Sequence, residues 1–461
     1  MKLSSTIGAV APALTLTMLV GCGGERSGDD VSGAPGAEGT DTATVTTFGD
    51  LETPCGEGDA KGATDQGVTD TEITIGYGDD RGFTYAPGLS EEVGDAMDAM
   101  VKWCNDQGGI NGRTIVGNRY DAALTNAVQV MQKACKQDFM LVGQGFAYDE
   151  AAEPNRVACG LPSVPAFAVG PNASMGPNKF EPLPFPADYY NAAGLALAVE
   201  ALPEFKEAPA LVSGDTPALQ VAAAKVTTAL ESLGVTVKNC GVSISQTGEA
   251  SYAPFAEKLK SCGAEAVWNT NGPIPSSFGL LEAIQRSGES PQLLGEAQWY
   301  STAGAQWNGA TGGAEGMVVP LMVQPLENGM HVAAVRDYMR VVKETEGKTA
   351  MLGEQAASAF LLWATVAKEC ASDLTRECMV AGLSEVHEWT GGGLHAPSDP
   401  GANSPTDCAL LVQLIKSGWK QIAPETAGEF ACDESYVIPL DPKDSGVVLD
   451  DNRISTAFST N

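Results

Sequence analysis

The feature that most constrains the fold is an alternation of apolar runs and helical patterns, first seen in residues 70–121. Residues 73–77 (ITIGY) form an apolar run rich in β-branched side chains, typical of a buried strand. After a polar loop, apolar residues recur at spacings of three and four, as on one face of a helix: Val93, Met97, Met100, Val101 and Cys104. Glycines then end the helix, and a second apolar run begins at residue 114. This βαβ pattern predicts a parallel sheet.

The same alternation continues along the chain and predicts an α/β protein. Further strands are expected at residues 139–143, 163–169, 208–212, 235–244, 265–268, 293–294, 316–323 and 408–415. Helices are expected at residues 125–136, 148–157, 189–202, 217–233, 255–261, 275–286, 332–344, 354–369 and 374–383. A proline-rich stretch at 171–186 predicts a crossover between two series, because proline disfavours both helix and central strand. Residues 441–461 are polar and predict a loose C-terminal tail.

The N-terminus is a processing segment rather than part of the fold. Lys2 precedes an apolar stretch that ends in LVGC at residues 19–22, which resembles the lipobox of bacterial lipoproteins. That resemblance implies a signal peptide, residues 1–21, and a lipid on the sulfur of Cys22. The alternative, a transmembrane anchor, needs about 20 apolar residues, and the run is shorter. Residues 22–67 are rich in Gly, Ser, Thr, Asp and Glu, which predicts a disordered tether.

Eleven cysteines suggest disulfide bonds in an exported protein, because ten remain once Cys22 is lipidated. Short spacings favour three pairs: Cys240–Cys262, Cys370–Cys378 and Cys408–Cys432. The helices after the second and third strands should lie on one face of the sheet, which favours Cys135–Cys159 and leaves Cys55–Cys104. Sequence alone leaves the connectivity open. There is no CxxC motif and there are only three histidines, so no metal site is expected: His331, His387 and His395.

Charge and motifs narrow the function. A net charge of -31 argues against nucleic acid or an anionic bilayer as a partner of the folded part. The sequence contains no GxSxG, HExxH or GxxxxGK[ST] motif. Asp79 and Asp80 are adjacent on a predicted loop, so their side chains should point in different directions. We therefore expect no enzymatic activity and no cofactor.

The order of these segments resembles the type 1 periplasmic binding proteins of the branched-chain amino acid (leucine/isoleucine/valine) family. The most specific piece is NDQGGINGR at residues 105–113, and three others match: GVTDTEITIGYG at 67–78, FMLVGQ at 139–144 and LLVQLIKSGWK at 410–420. The resemblance implies two flavodoxin-like lobes with parallel sheets, joined by a three-strand hinge. The first lobe would comprise residues 68–187 and about 325–388. The second would comprise residues 188–324 and about 389–440.

The resemblance also implies a function. A small organic ligand, an amino acid or related metabolite, would bind between the lobes at the carboxyl ends of the strands. The protein would be an extracytoplasmic monomer, held at the cell membrane only by its lipid, and would deliver the ligand to an ABC permease. The alternative is a ligand sensor or surface-interaction protein that uses the same fold without transport.

The loops after the strands supply the candidate ligand-binding residues. They are Asp79, Phe83, Tyr85, Phe146, Ala147, Tyr148, Asp215, Asn271, Gln298, Trp299 and Tyr300. Aromatic rings beside a few polar groups suit a small organic ligand. Amino-acid-binding relatives usually present Ser or Thr hydroxyls to the ligand carboxylate just after the third strand, where this chain has Phe146, Ala147 and Tyr148. The ligand class therefore stays open between amino acids and other small polar or aromatic metabolites.

Overall fold

The computed structural model describes residues 47–84 and 86–458. The predicted signal peptide, Cys22, the tether up to residue 46 and Tyr85 lie outside the described residues. The strands are β1 (Thr47–Phe48), β2 (Leu51–Glu52), β3 (Glu72–Asp79), β4 (Thr114–Asp121), β5 (Met140–Val142), β6 (Ser163–Val164), β7 (Tyr189–Asn191), β8 (Pro209–Gly214), β9 (Lys238–Ile244), β10 (Ala266–Asn269), β11 (Gln292–Gly295), β12 (Val318–Leu321), β13 (Cys408–Ile415), β14 (Gly418–Ala423), β15 (Ala431–Cys432) and β16 (Val437–Pro439). The α-helices are α1 (Glu91–Asn105), α2 (Ala127–Gln137), α3 (Asp149–Ala158), α4 (Ala193–Ala201), α5 (Pro203–Glu207), α6 (Pro217–Ser232), α7 (Ala253–Cys262), α8 (Pro275–Arg286), α9 (Thr302–Thr311), α10 (Ala333–Glu344), α11 (Met351–Cys370) and α12 (Arg376–Ser384).

A parallel sheet in the order β4-β3-β5-β6 organises the first lobe, which also contains α1–α3 and α10–α12. On one face, Ile73 and Ile75 pack with Met97 of α1 and Phe360 of α11, and all four are fully buried. On the other face, α2 and α3 cover a smaller apolar cluster around Leu141. Helices therefore cover both faces, as expected for a buried parallel sheet.

The second lobe is built on a larger sheet in the order β14-β13-β12-β11-β10-β8-β9, with β15 beside β13. The five strands β8 to β12 are parallel to one another. β13 and β14 add an antiparallel edge beside β12. Val212 and Val319 face α7 and α8, whereas Trp268 and Leu294 face α4–α6. The α/β fold class is therefore confirmed.

The chain passes between the lobes three times: between β6 and β8, between β12 and α10, and between α12 and β13. The first passage contains the proline-rich stretch. In the third, Trp389 and Leu394 still pack in the core of the first lobe. The return to the second lobe therefore comes closer to β13 than the predicted boundary near residue 389.

The structure joins the five cysteine pairs that the sequence analysis favours. Cys135 in α2 is bonded to Cys159 at the end of α3, and these two helices pack against each other. This agrees with the argument that both helices lie on one face of the sheet. The bond between Cys55 and Cys104 attaches the N-terminal segment to α1.

The predicted disordered tether is wrong over residues 47–67. β1 and β2 form a hairpin, in which Phe48 is fully buried with its ring 5.5 Å from that of Trp103. The amide of Asp50 donates to the carbonyl of Gly392 at 3.0 Å. The average composition of the segment hides the few apolar residues that fix it to the first lobe.

The predicted loose tail is also wrong, over residues 441–458. Val447 is fully buried against Met175 and Ala187. The guanidinium of Arg453 contacts the carboxylate of Asp188 at 2.7 Å. One apolar and one charged contact are sufficient to hold a polar segment whose composition alone predicts no packing.

Candidate functional site

The parallel strands of each lobe end in a set of loops, and such edges are where open α/β sheets bind ligands. We call the loops after β3–β6 the first edge: residues 80–90, 122–126, 143–148 and 165–172. We call the loops after β8–β11 the second edge: residues 215–216, 245–252, 270–274 and 296–301. The candidate residues lie on or next to these two edges.

Asp79, the last residue of β3, is fully buried and paired with arginines. One carboxylate oxygen accepts from Arg81 at 2.8 Å and the other from Arg119 at 3.0 Å. Burial raises the pKa of Asp79, while the two arginines act in the opposite direction. Its oxygens are thus used to fix the base of the first edge.

Asp80 connects three loops of the first edge from a fully buried position. Its Oδ1 accepts from the amide of Leu124 at 2.7 Å, and its Oδ2 accepts from the amide of Ala147 at 2.8 Å. Burial raises the pKa of the Asp80 carboxyl, and the two amide donors lower it. The amide of Ala147, a predicted ligand contact, is therefore already occupied.

Apolar side chains are exposed on the first edge. Tyr148 is 56% exposed and Val169 is 44% exposed. Phe83 and Phe167 are half-buried, and the Phe167 ring lies so close to Gly145 that a Cβ there would come within 2.3 Å of it. Phe146, in contrast, is buried in the core with only 2% exposure. The sequence pattern missed Phe167 and Val169 because it extended β6 through both residues.

Carboxylates also hold the loop that follows β6. Asp149 accepts from the amides of Val169 and Gly170 at 2.9 and 2.8 Å. Glu181 is 5% exposed and accepts from the amide of Ala168 at 3.1 Å. Burial raises the pKa of Glu181 to about 8. These hydrogen bonds therefore hold the loop that carries the exposed Val169.

The two aromatic residues predicted for the second edge are part of its core. Trp299 is fully buried, and its Nε1 donates to the carbonyl of Asn271 at 2.8 Å. Tyr300 is 5% exposed and donates its hydroxyl proton to Glu327 Oε2 at 2.6 Å. Burial and the nearby carboxylates raise the pKa of Tyr300. Both rings support the edge from beneath.

Among the candidate residues of the second edge, Asp215 and Gln298 are exposed. Asp215 Oδ1 accepts from the amide of Gln246 at 3.1 Å, and this donor lowers the pKa of the carboxyl. Asn271 is fully buried and donates to Asn269 Oδ1 at 2.9 Å. Gln246 connects Asp215 with Asn271, since its side-chain Nε2 also donates to Asn271 Oδ1 at 2.5 Å.

The structure thus divides the candidate residues into two groups. Those with exposed or half-buried side chains on the edges are Phe83, Ala147, Tyr148, Asp215 and Gln298. Those buried beneath the edges are Asp79, Phe146, Asn271, Trp299 and Tyr300. The first group can contact a ligand directly, whereas the second group positions the loops.

In residues 47–84 and 86–458, no helix is both long enough and apolar enough to cross a membrane. The same residues contain one grouping of three possible metal ligands, formed by Asp407, Cys408 and Cys432. Its two cysteines are bonded to each other, so neither offers a thiolate.

A family model described as periplasmic binding protein matches residues 72–419. This match begins at β3 and extends into β14, so it includes both edges and all three passages between the lobes. No curated protein matches the chain.

Solved structures show the same fold at low sequence identity. A fatty acid ABC transporter substrate-binding protein from Thermomonospora curvata has a TM-score of 0.64 at 16% identity, covering 84% of this chain and 97% of that one. A solute-binding protein of an ABC transporter from R. palustris, solved with benzoate, has a TM-score of 0.62 at 14% identity, with coverages of 79% and 98%. A leucine-binding protein from Thermotoga maritima has a TM-score of 0.60 at 14% identity, with coverages of 77% and 98%.

Proposed function

This chain belongs to the periplasmic binding protein family, and from that premise we propose that it is the extracytoplasmic substrate-binding component of an ABC transporter. It captures a small organic ligand between its two edges and delivers it to a permease in the cell membrane. The lipid on Cys22 holds the protein at that membrane. The observation that carries the proposal is the family match over residues 72–419, which includes both sheets and the passages between them.

The exposed side chains of the edges support this function. The first edge offers apolar surface through Tyr148, Val169 and the half-buried Phe83, and the second edge offers the polar groups of Asp215 and Gln298. Apolar surface with a few fixed polar groups is typical of small-molecule sites. The structural neighbours are described with leucine, benzoate or a fatty acid. This range means that the fold alone does not select the ligand.

A thermal-shift screen of the purified protein against amino acids, amides, carboxylic acids, amines and polyols tests the proposal. A ligand that binds only the native state stabilises it, by about 4 kcal/mol at a ligand concentration of 1,000 times the Kd. This stabilisation raises the melting temperature. For each hit we expect Tyr148→Ala to weaken binding about fivefold or more. Val448→Ala, which also shortens an exposed apolar side chain, is the matched control.

Uptake of a hit, measured in cells with and without the protein, distinguishes transport from sensing. Loss of uptake supports the proposal. Binding without any change in uptake would assign the protein to sensing or surface interaction instead. A screen without hits, together with unchanged uptake of the panel, would contradict the proposed function.

A further inference from the structure

We infer that the ligand held between the two edges carries no carboxylate or other anionic group, and is a neutral or cationic molecule with an apolar or aromatic body. This inference rests on the proposed function, because it concerns the same site. It follows from three independent features of the edges: the state of their backbone hydrogen-bond donors, a buried acceptor atom without a hydrogen-bond partner, and the charges of their side chains.

Several backbone donors of the first edge are occupied by the protein's own acidic side chains. Anions are bound at sheet edges and helix starts through free backbone N–H groups. Here seven such groups, six in the first edge and one directly after it, donate to four acidic side chains: Leu124 and Ala147 to Asp80, Val169 and Gly170 to Asp149, Asn172 and Ala173 to Glu150, and Ala168 to Glu181. An incoming carboxylate would have to displace these acidic side chains before it could use the same donors.

The unfilled polar atom of the first edge is an acceptor. Gln144 follows β5, is 6% exposed and donates through Nε2 to Ser163 Oγ at 2.6 Å. Its Oε1 has no hydrogen-bond partner among the described residues. A buried polar atom without a partner is costly, and an acceptor is satisfied by a donor. A ligand N–H or O–H group that reaches this atom would supply the missing hydrogen bond.

The charges at the two edges also disfavour an anion. Arg81 is the one basic residue in the sequence of these loops, and it donates to Asp79 and to the carbonyl of Tyr120. Nearby lysines are committed elsewhere. Lys179 lies 3.3 Å from Glu153, and Lys225 is largely buried with its Nζ 3.4 Å from a backbone carbonyl.

An acidic group, in contrast, is exposed on the second edge. Asp215 is exposed, and hydrogen bonds from Gln246 and Ser245 lower the pKa of its carboxyl, which favours the charged form. Glu296 is less accessible, because burial raises the pKa of its carboxyl to about 7 and it accepts from Trp268 Nε1 at 2.8 Å. Carboxylates bind ammonium and amide donors through charge-assisted hydrogen bonds. The second edge therefore suits the polar end of a neutral or cationic ligand, and the first edge suits its apolar body.

Probes of similar shape and different charge test the inference. Calorimetry and thermal shift with the purified protein would compare benzamide and benzamidine with benzoate, and isovaleramide and isoamylamine with isovalerate. We expect the neutral or cationic member of a series to bind about tenfold tighter than its anion. Tighter binding of the carboxylates, or wider-panel hits that are predominantly anions, would overturn the inference and leave the proposed function intact. No binding by any probe or panel compound would overturn both.

A charge variant of the second edge gives a second test. For a cationic hit, Asp215→Asn should weaken binding about fivefold and leave the affinity for its neutral analogue unchanged. The control is Asp373→Asn, which removes the same charge from an exposed site just after α11, beside the residues that precede β4. An equal effect of both variants would show that only the net charge of the protein matters, and would contradict a direct contact.

Discussion

At the residue scale, the buried acids of the first edge determine its shape. Glu181 has 5% exposure and accepts from the amide of Ala168. Lys179 and Asp149 face it with opposite effects on its pKa, but burial dominates and raises that pKa to about 8. A carboxyl that keeps its proton at neutral pH can support the loop without a buried charge.

This raised pKa predicts a pH-dependent stability. The unfolded chain loses the Glu181 proton near pH 4.5, whereas the folded protein keeps it until about pH 8. The contribution to stability is therefore fully present below pH 4.5 and is lost as the pH rises through 8. Glu181→Gln keeps the acceptor and has no proton to lose. We expect it to be more stable than the parent at pH 9 by roughly 1–3 kcal/mol.

Chemical denaturation of both chains at pH 5 and pH 9 would measure this difference. At pH 5 the two free energies of unfolding should differ by less than about 1 kcal/mol. Glu257→Gln, at an exposed position in α7, is the control and should show no pH-dependent gain. A loss of stability in Glu181→Gln that is equal at both pH values would contradict the raised pKa.

The directions of single side chains in the site loops are not predictable from the sequence. Gln298, Trp299 and Tyr300 are consecutive, and the sequence predicts all three as ligand contacts. In the structure only Gln298 is exposed, because a turn directs both rings into the core beside Trp419 and Phe278. Side-chain direction in a loop depends on tertiary packing, for which the sequence carries no periodic signal.

At the element scale, the alternating pattern predicted most of the regular structure. The predicted helix at 275–286 and strand at 408–415 agree with α8 and β13. The spacing of apolar residues predicts these elements because a helix or strand with one buried face must place apolar side chains at its own period. Several elements differ, and two of them show why. Residues 189–191 form β7, which pairs with a distant strand, and α9 was missed because it has few apolar residues.

The N-terminal hairpin gives a prediction at this scale. Phe48 is its buried anchor against Trp103, so Phe48→Ala leaves a cavity under β1. We expect a loss of about 2–4 kcal/mol in stability and rapid proteolysis within residues 47–67. Denaturation and limited proteolysis would measure both effects.

Thr47→Ala, at an exposed position in the same strand, is the matched control and should behave like the parent. If Phe48→Ala leaves both stability and cleavage unchanged, the hairpin contributes no fixed packing. The segment would then act as part of the tether that the composition indicates.

At the scale of the whole molecule, the three passages between the lobes are the places where a rotation can occur. The third contains Gly391, Gly392 and Gly393, all with positive φ. A Cβ on Gly391 or Gly392 would clash with neighbouring atoms, but a Cβ on Gly393 would meet nothing closer than 3.8 Å. Gly393 therefore tests backbone freedom in the passage without a steric conflict.

Ligand binding is expected to rotate the lobes together, because the proposed site places the ligand against both edges. Small-angle X-ray scattering should show a radius of gyration smaller by on the order of 1 Å with a saturating hit. Gly393→Ala restricts a φ of +97° that alanine rarely adopts, so we expect weaker ligand binding and a smaller compaction.

Gly312→Ala, at the end of α9, is the control for strain alone. It has a φ of +67° and no neighbouring atom within 4 Å of a Cβ. Both variants should lose stability by roughly 1 kcal/mol, since each forces alanine into a left-handed conformation. Only Gly393→Ala should change the ligand affinity and the compaction. If the two variants bind and compact alike, the third passage does not take part in closure, and the rotation must occur in the other two.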